Sequence, residues 1–243
     1  PSIVMLGYLT DMFAPGEKNI AKAIKALGTV MLMHAIAYHT IKSVDPYAKV
    51  GIVHNVQIPM PYNPKSIMDN LLAKFVDYLF NGAIIRALQS GKLPFQIFSR
   101  HNELVNSNDF IGLNFYNFIR VSLKLKDLAT SATDNPLCGT DKLCAGLGWE
   151  PYPEGFYLAI KRMHHAFPNL PMYITENGIG TDNDAWRQNV LIDHLKMMHK
   201  ALQEGIDIKG YFYWSLIDNF EWAQGYMSRF GLVAVDFKTQ KRT

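Results

Sequence analysis

From Ile20 to Ile41, apolar residues recur every three or four positions, at Ile20, Ile24, Leu27, Met31, Ala35, Tyr38 and Ile41. That spacing predicts a helix with one buried stripe, ended by Asp45-Pro46. Lys49 to Asn55 reads as a strand, with Val50, Ile52 and Val53 apolar and Gly51 at a point of close approach. The Pro-rich stretch Pro59 to Pro64 reads as a loop, and Ile67 to Leu88 as a long helical region stopped by Gly91 and Pro94. Asp109 to Tyr116 is the next predicted strand, and period two sends Asn114 and Tyr116 to the same side of it. An irregular segment runs to Trp149, and Pro153 to Phe167 is helical. Next comes Pro171 to Gly178, where Tyr173, Ile174 and Thr175 favour a strand, Glu176 is its last residue and Asn177-Gly178 turns the chain. A helix over Asp184 to Gln203 places Leu191, Leu195, Met198 and Leu202 on one face, with Gly205 past its end. Ile208 to Trp214 is a further strand, and Phe230 to Phe237 reads as an additional short β element.

Helices and strands therefore alternate along the chain. Such alternation implies an α/β fold, with a parallel sheet and helices packed outside it. There is no internal repeat and no low-complexity linker, so residues 1–243 read as a single structural unit. Four parallel strands fit either an open sheet or an arc of a closed barrel.

Composition narrows the function classes. The chain has 243 residues, 49% hydrophobic and 19% charged, which is ordinary for a globular protein. Its net charge of +3 comes from scattered basic residues, so no nucleic-acid partner is expected. The most apolar window, Val30 to Ile41, is too short to span a bilayer and carries His34 and His39, so a buried helix is expected and no membrane partner. Cys138 and Cys144 sit in a Gly-rich loop without the other ligands of a zinc site; free thiols are the default, and an oxidising compartment would let them pair. No cofactor or metal site is evident. The first residue is Pro1 rather than Met and no signal or transit peptide is recognisable, so the true amino terminus is expected to lie outside these residues; a cytoplasmic setting is the expectation for the protein.

The candidate chemistry lies at strand ends. In parallel α/β architectures the carboxyl ends of the strands carry the functional groups, and Glu176 is placed there. The last strand runs into Trp214-Ser215-Leu216-Ile217-Asp218-Asn219-Phe220-Glu221-Trp222, which adds a second carboxylate and two indoles. Tryptophans are usually core residues, but Glu221 between Phe220 and Trp222 needs a partner or a purpose. A sugar presents C–H patches to an indole and hydroxyls to a carboxylate. With Asn114 and Tyr116, polar groups from three successive strand ends converge on one candidate sugar site.

Three stretches are long and specific: Tyr173 to Gly178, Gly210 to Trp222, and Arg229-Phe230-Gly231-Leu232-Val233. Shorter ones are Gly7-Tyr8, Ala14-Pro15-Gly16, Gly51-Ile52-Val53, Phe110 to Asn114, Gly148-Trp149-Glu150 and Tyr152-Pro153-Glu154-Gly155. Together they resemble the β-glucosidases of glycoside hydrolase family 1 over essentially the whole chain. The resemblance implies a TIM (β/α)8 barrel, of which this chain would be the C-terminal half, strands 5 to 8. It implies that Glu176 is the nucleophile of a retaining β-glycosidase and that Tyr116 hydrogen-bonds it. Asn114 would meet the sugar near its 2-hydroxyl, Trp214 would form a wall under the ring, and Glu221 and Trp222 would bind its 4- and 6-hydroxyls. Phe230 would close the pocket, and Trp149 would be the platform for the leaving group. A carboxylate at Glu221 would repel a 6-phosphate, which favours plain glycosides. The implied partner is a β-glucoside or short β-linked oligosaccharide.

The resemblance also implies a second carboxyl group, the Glu of an Asn-Glu-Pro motif, with Pro1-Ser2 matching the residues just after that Glu. The acid/base and the N-terminal half of the barrel are then expected to be missing from these residues, and the polypeptide alone to be inactive. A sugar-binding relative without catalysis, or a thioglycosidase, would share the same pocket.

Overall fold

The computed structural model describes residues 2–10, 12–94, 99–122 and 149–243. The expected loop with Cys138 and Cys144 lies outside the described residues, as does most of the segment expected to be irregular. In chain order the elements are α1 (Ser2–Tyr8), α2 (Ile20–Val44), β1 (Gly51–Asn55), β2 (Ile58–Pro61), α3 (Ile67–Asp77), α4 (Ala83–Ser90), β3 (Phe110–Phe115), β4 (Phe118–Val121), α5 (Pro153–Ala166), β5 (Met172–Asn177), α6 (Asp184–Gln203) and β6 (Ile208–Tyr213). Helix starts follow side-chain caps: Asn19 accepts from the Lys22 N–H, Ser66 from Asp69 and Asn183 from Trp186. Pro153 opens α5, where a missing N–H costs nothing. Gly91 ends α4 with φ +69°, a left-handed conformation favoured in glycine.

The main sheet is parallel, in the order β1-β3-β5-β6, with a helical crossover between each successive pair. This is the expected alternation, folded as part of a barrel with β1 and β6 as open edges. One face is packed: Ile111, Leu113, Phe115, Met172 and Ile174 meet Phe156, Ile160 and Met163 of α5 and Ala201 of α6 in one core. A second core joins Met31 and Ala35 of α2 to Ile84, Ala87 and Leu88 of α4. The inner face is open, with Val53 50% and Phe212 57% exposed.

Several elements differ from the sequence reading. Pro59 and Pro61 lie in β2 rather than in a loop, and β2 pairs in parallel with β4, which was not expected. A two-stranded sheet is all edge, so a strand there tolerates residues that cannot donate. The predicted helix from Ile67 is broken by a π-helical turn at Tyr78–Gly82 before it resumes as α4. Phe230 to Phe237 forms no strand, only isolated bridges of Val233 to Ile217 and Val235 to Arg242. Along α2, the stripe is buried at Met31 and Ala35, but its ends, Ile20 and Ile41, are exposed. The helix is also longer than its apolar window: 25 residues at mean hydropathy 1.4 are enough to cross a membrane by length and composition. Only its Met31–Ala35 side packs against α4, while Val30, Met33, Ile36 and Val44 are exposed, so the helix is not buried as expected. The buried face of α6 is Arg187, Val190, His194 and Ala201, about one position from the predicted one; His194 fits there because its Nδ1 meets the Val190 carbonyl at 2.7 Å.

Two buried histidines make stability depend on pH. His54 is 1% exposed, with Nε2 3.1 Å from Asn81 Oδ1, and burial holds its pKa down at about 3. Burial also lowers that of His194. The unfolded chain takes up these protons below about pH 6.5 while the folded chain does not, so stability is full above that value and falls as pH drops through it. Each neutral histidine steepens the loss by up to ~1.4 kcal/mol per pH unit. Urea unfolding between pH 7.5 and 5 should show a slope that flattens when His194 is replaced by Leu; an unchanged slope would contradict the assignment.

Candidate functional site

Strict alternation along β5 would bury Glu176. Met172 and Ile174 point into the helix-side core, and the next residue of that parity is Glu176. A β-bulge prevents this. Ile174 pairs with Leu113 of β3, yet Glu176 pairs with the very next residue, Asn114. On the other side Ile174 pairs with Tyr211 and Asn177 with Tyr213, so Thr175 and Glu176 together oppose one residue of β6. The extra residue turns both side chains to the inner face. There Thr175 Oγ1 donates to Asn114 Oδ1 at 2.6 Å, and Tyr116 donates its hydroxyl proton to Glu176 Oε2 at 2.5 Å. Asn114 and Tyr116 thus share a side, opposite Leu113 and Phe115, as period two predicts.

Charge organises the rest. Burial, then the negative charge and hydrogen bond of Glu176, then the charge of Glu221, push the Tyr116 pKa far up, so the phenol stays a donor at any working pH. The Glu221 carboxyl is raised by burial and by the charge of Glu176; the bond it accepts from Trp214 Nε1, at 3.3 Å, opposes the shift. Glu176, Tyr116 and Glu221 are therefore close enough for their charges to act on one another. The loop carrying Glu221 is braced by buried Asp218, which accepts from Arg229 Nη1 at 2.9 Å and from the Gly231 and Val235 N–H groups. Gly178 lets the exit of β5 touch the entry of that loop, since a Cβ there would lie 2.0 Å from the Trp214 carbonyl oxygen.

The remaining aromatic candidates take distinct places. Trp149 packs on Tyr116 with ring centroids 5.3 Å apart. Phe230 meets both, at 6.1 and 6.0 Å, and with 1% exposure it stands behind the pocket. Trp222 is 60% exposed and stacks on Phe13 at 5.7 Å. Sequence reasoning overlooked Phe13, Thr175, Asn177 and Tyr211. Thr175 and Asn177 flank the key carboxylate, and that adjacency is the one signal that could have found them. Among the described residues no group of three or more His, Cys, Asp or Glu side chains is arranged to hold a metal ion.

Comparison with known proteins agrees with this geometry. The family model described as glycosyl hydrolase family 1 matches residues 2–243. A β-galactosidase of Pyrococcus woesei is 32% identical over 99% of this chain and 52% of its own length. Among solved structures, a β-glycosidase from Pyrococcus horikoshii superposes with a TM-score of 0.84 at 38% identity, covering 98% of this chain and 55% of its own. A β-glucosidase from Thermotoga maritima in complex with glucoimidazole gives 0.85 at 32% identity, over 98% and 57%. The chain spans a little over half the length of these relatives. Its sheet of four parallel strands corresponds to part of their barrel, and the chain belongs to glycosyl hydrolase family 1.

Proposed function

We propose that these residues supply the nucleophile and most of the sugar pocket of a retaining β-glycosidase that removes terminal β-D-glucosyl residues. The observation that carries this reading is the 2.5 Å bond from Tyr116 to Glu176, with Glu221, bonded to Trp214, close enough for its charge to act on Tyr116. Glu176 attacks the anomeric carbon, the bond to the leaving oxygen breaks, and a glycosyl ester forms. Water then displaces the ester from the face the leaving group vacated, so two inversions give net retention. Tyr116 donates a hydrogen bond to the attacking carboxylate and aims it.

Asn114 meets the 2-hydroxyl. Thr175 occupies its oxygen, so the amide N–H groups are what it offers the sugar. Trp214 lies under the ring, Glu221 and Trp222 bind the 4- and 6-hydroxyls, Phe230 backs the pocket, and Trp149 is the platform for the leaving group. The 6-hydroxyl must be free, because a phosphate there would meet the Glu221 charge. The reaction needs a second carboxyl group roughly 5 Å from the nucleophile, to protonate the leaving oxygen and later to activate water. Glu221 follows β6 at one edge of the sheet; the acid/base is proposed to reach the site from a strand beside β1, at the other edge.

The test is the anomer formed first. NMR of an aryl β-glucoside hydrolysed by the full-length protein should show β-glucose appearing before α; α first, or no turnover, would end the retaining reading. In the same protein, Tyr116→Phe should lower kcat roughly tenfold to a hundredfold. An unchanged kcat would remove Tyr116 from this role.

A further inference from the structure

The bulge that delivers Glu176 breaks the sheet ladder at the point where position matters most. Something must hold it. Asn177, the next residue, is 2% exposed on the helix side, and its carboxamide bridges three strands. Its Nδ2 donates to the Phe115 carbonyl of β3 at 2.7 Å, and its Oδ1 accepts from the Tyr211 hydroxyl of β6 at 2.9 Å. Beyond the bulge, backbone pairing resumes with the Trp214 N–H donating to the Asn177 carbonyl at 3.0 Å. The Phe115 carbonyl belongs to the peptide that leads into Tyr116. One side chain therefore ties the residue after the proposed nucleophile to the peptide carrying that nucleophile's hydrogen-bond donor.

We propose that Asn177, held by Tyr211, is a positioning residue that locks the bulge and so sets the Tyr116–Glu176 contact. This rests on the proposed role of Glu176. The carboxamide suits the task because it donates and accepts at once; the Phe115 carbonyl is buried and Tyr211 partly buried, so an unmade bond is costly. An Asp there could still accept from Tyr211, but its carboxylate could not donate to Phe115. The sugar contacts of Trp214 and Glu221 lie on the other side of the sheet, so the lock bears on attack more than on binding.

Steady-state kinetics of the full-length protein test this. Asn177→Ala should lower kcat roughly tenfold to a hundredfold with KM within about twofold, since a misplacement of an ångström costs that much. Asn177→Ala added to Tyr116→Phe should cost less than the product of the two effects. If Asn177→Ala does not fold, Tyr211→Phe carries the test: it removes one hydroxyl, keeps the ring in place, and should give a several-fold loss of kcat with KM within about twofold and the same non-additivity with Tyr116→Phe. Variants that only lower Tm, or losses that multiply fully with Tyr116→Phe, would overturn the proposal. Glu176→Gln separates the two readings. Near-normal turnover by that variant would sink the nucleophile assignment itself, whereas an inactive Glu176→Gln beside normal Asn177 and Tyr211 variants would remove only the lock.

Discussion

Glu176→Gln in the full-length protein is expected to lower kcat by a factor on the order of 10⁴ to 10⁶, the range seen when a nucleophile is removed. The substitution keeps the shape of the side chain, and an amide can still accept from Tyr116, so the fold and the pocket should persist. What disappears is the negative charge and the lone pair that attacks carbon. The Glu221 pKa should fall toward its ordinary value, because one of the charges holding it up is gone. A shorter side chain gives a sharper outcome. With Glu176→Ala, azide can occupy the space left by the carboxylate and attack an activated β-glucoside from the face opposite the leaving group. That single displacement gives an α-glucosyl azide. Rescue with this stereochemistry identifies Glu176 as the attacking group, whereas a β-azide product or undiminished turnover would reject it.

The alternation of helices and strands was legible because its causes are local: apolar spacing, side-chain caps and turn residues. That Asn114 and Tyr116 share a side came from period two alone. How Glu176 reaches the same side could not be read that way, since the parity of Ile174 would have turned it into the helix layer. The bulge depends on the pairing of β5 with both neighbours, a relation between distant segments that no local pattern records. Asn177 hid for a related reason. Asn-Gly reads as a turn, and here the Asn side chain is a crosslink within the sheet while Gly178 admits the Trp214 carbonyl. The edge strand β2 was missed because its prolines look like loop residues. The β element expected near Phe230 was read from apolar content, which in the fold serves to back Tyr116 and Trp149. The choice between an open sheet and a barrel required the family motifs, because one arc of parallel strands has the same pattern in both.

A polypeptide of these 243 residues alone is expected to self-associate and to hydrolyse no aryl β-glucoside. Two independent features lead there. The sheet ends at β1 and β6, each with unpaired backbone groups, and unprotected parallel edges of this kind recruit other strands. Its inner face leaves Val53 and Phe212 half exposed, whereas a closed barrel fills its interior with side chains. Chemically, Glu176 is only the proposed nucleophile, and the proposed acid/base approaches from beside β1, where no strand is paired among the described residues. Retaining hydrolysis without that group stalls at departure of the leaving oxygen and again at activation of water. Supplying an amino-terminal barrel half that ends in Asn-Glu should correct both faults at once. Light scattering should then show a discrete species in place of aggregate, and turnover should appear together with it. The two readouts separate the causes: an amino-terminal half ending in Asn-Gln should restore the discrete species but not the turnover. Turnover by the 243 residues alone as a monodisperse monomer would show that the second carboxyl group already lies among them.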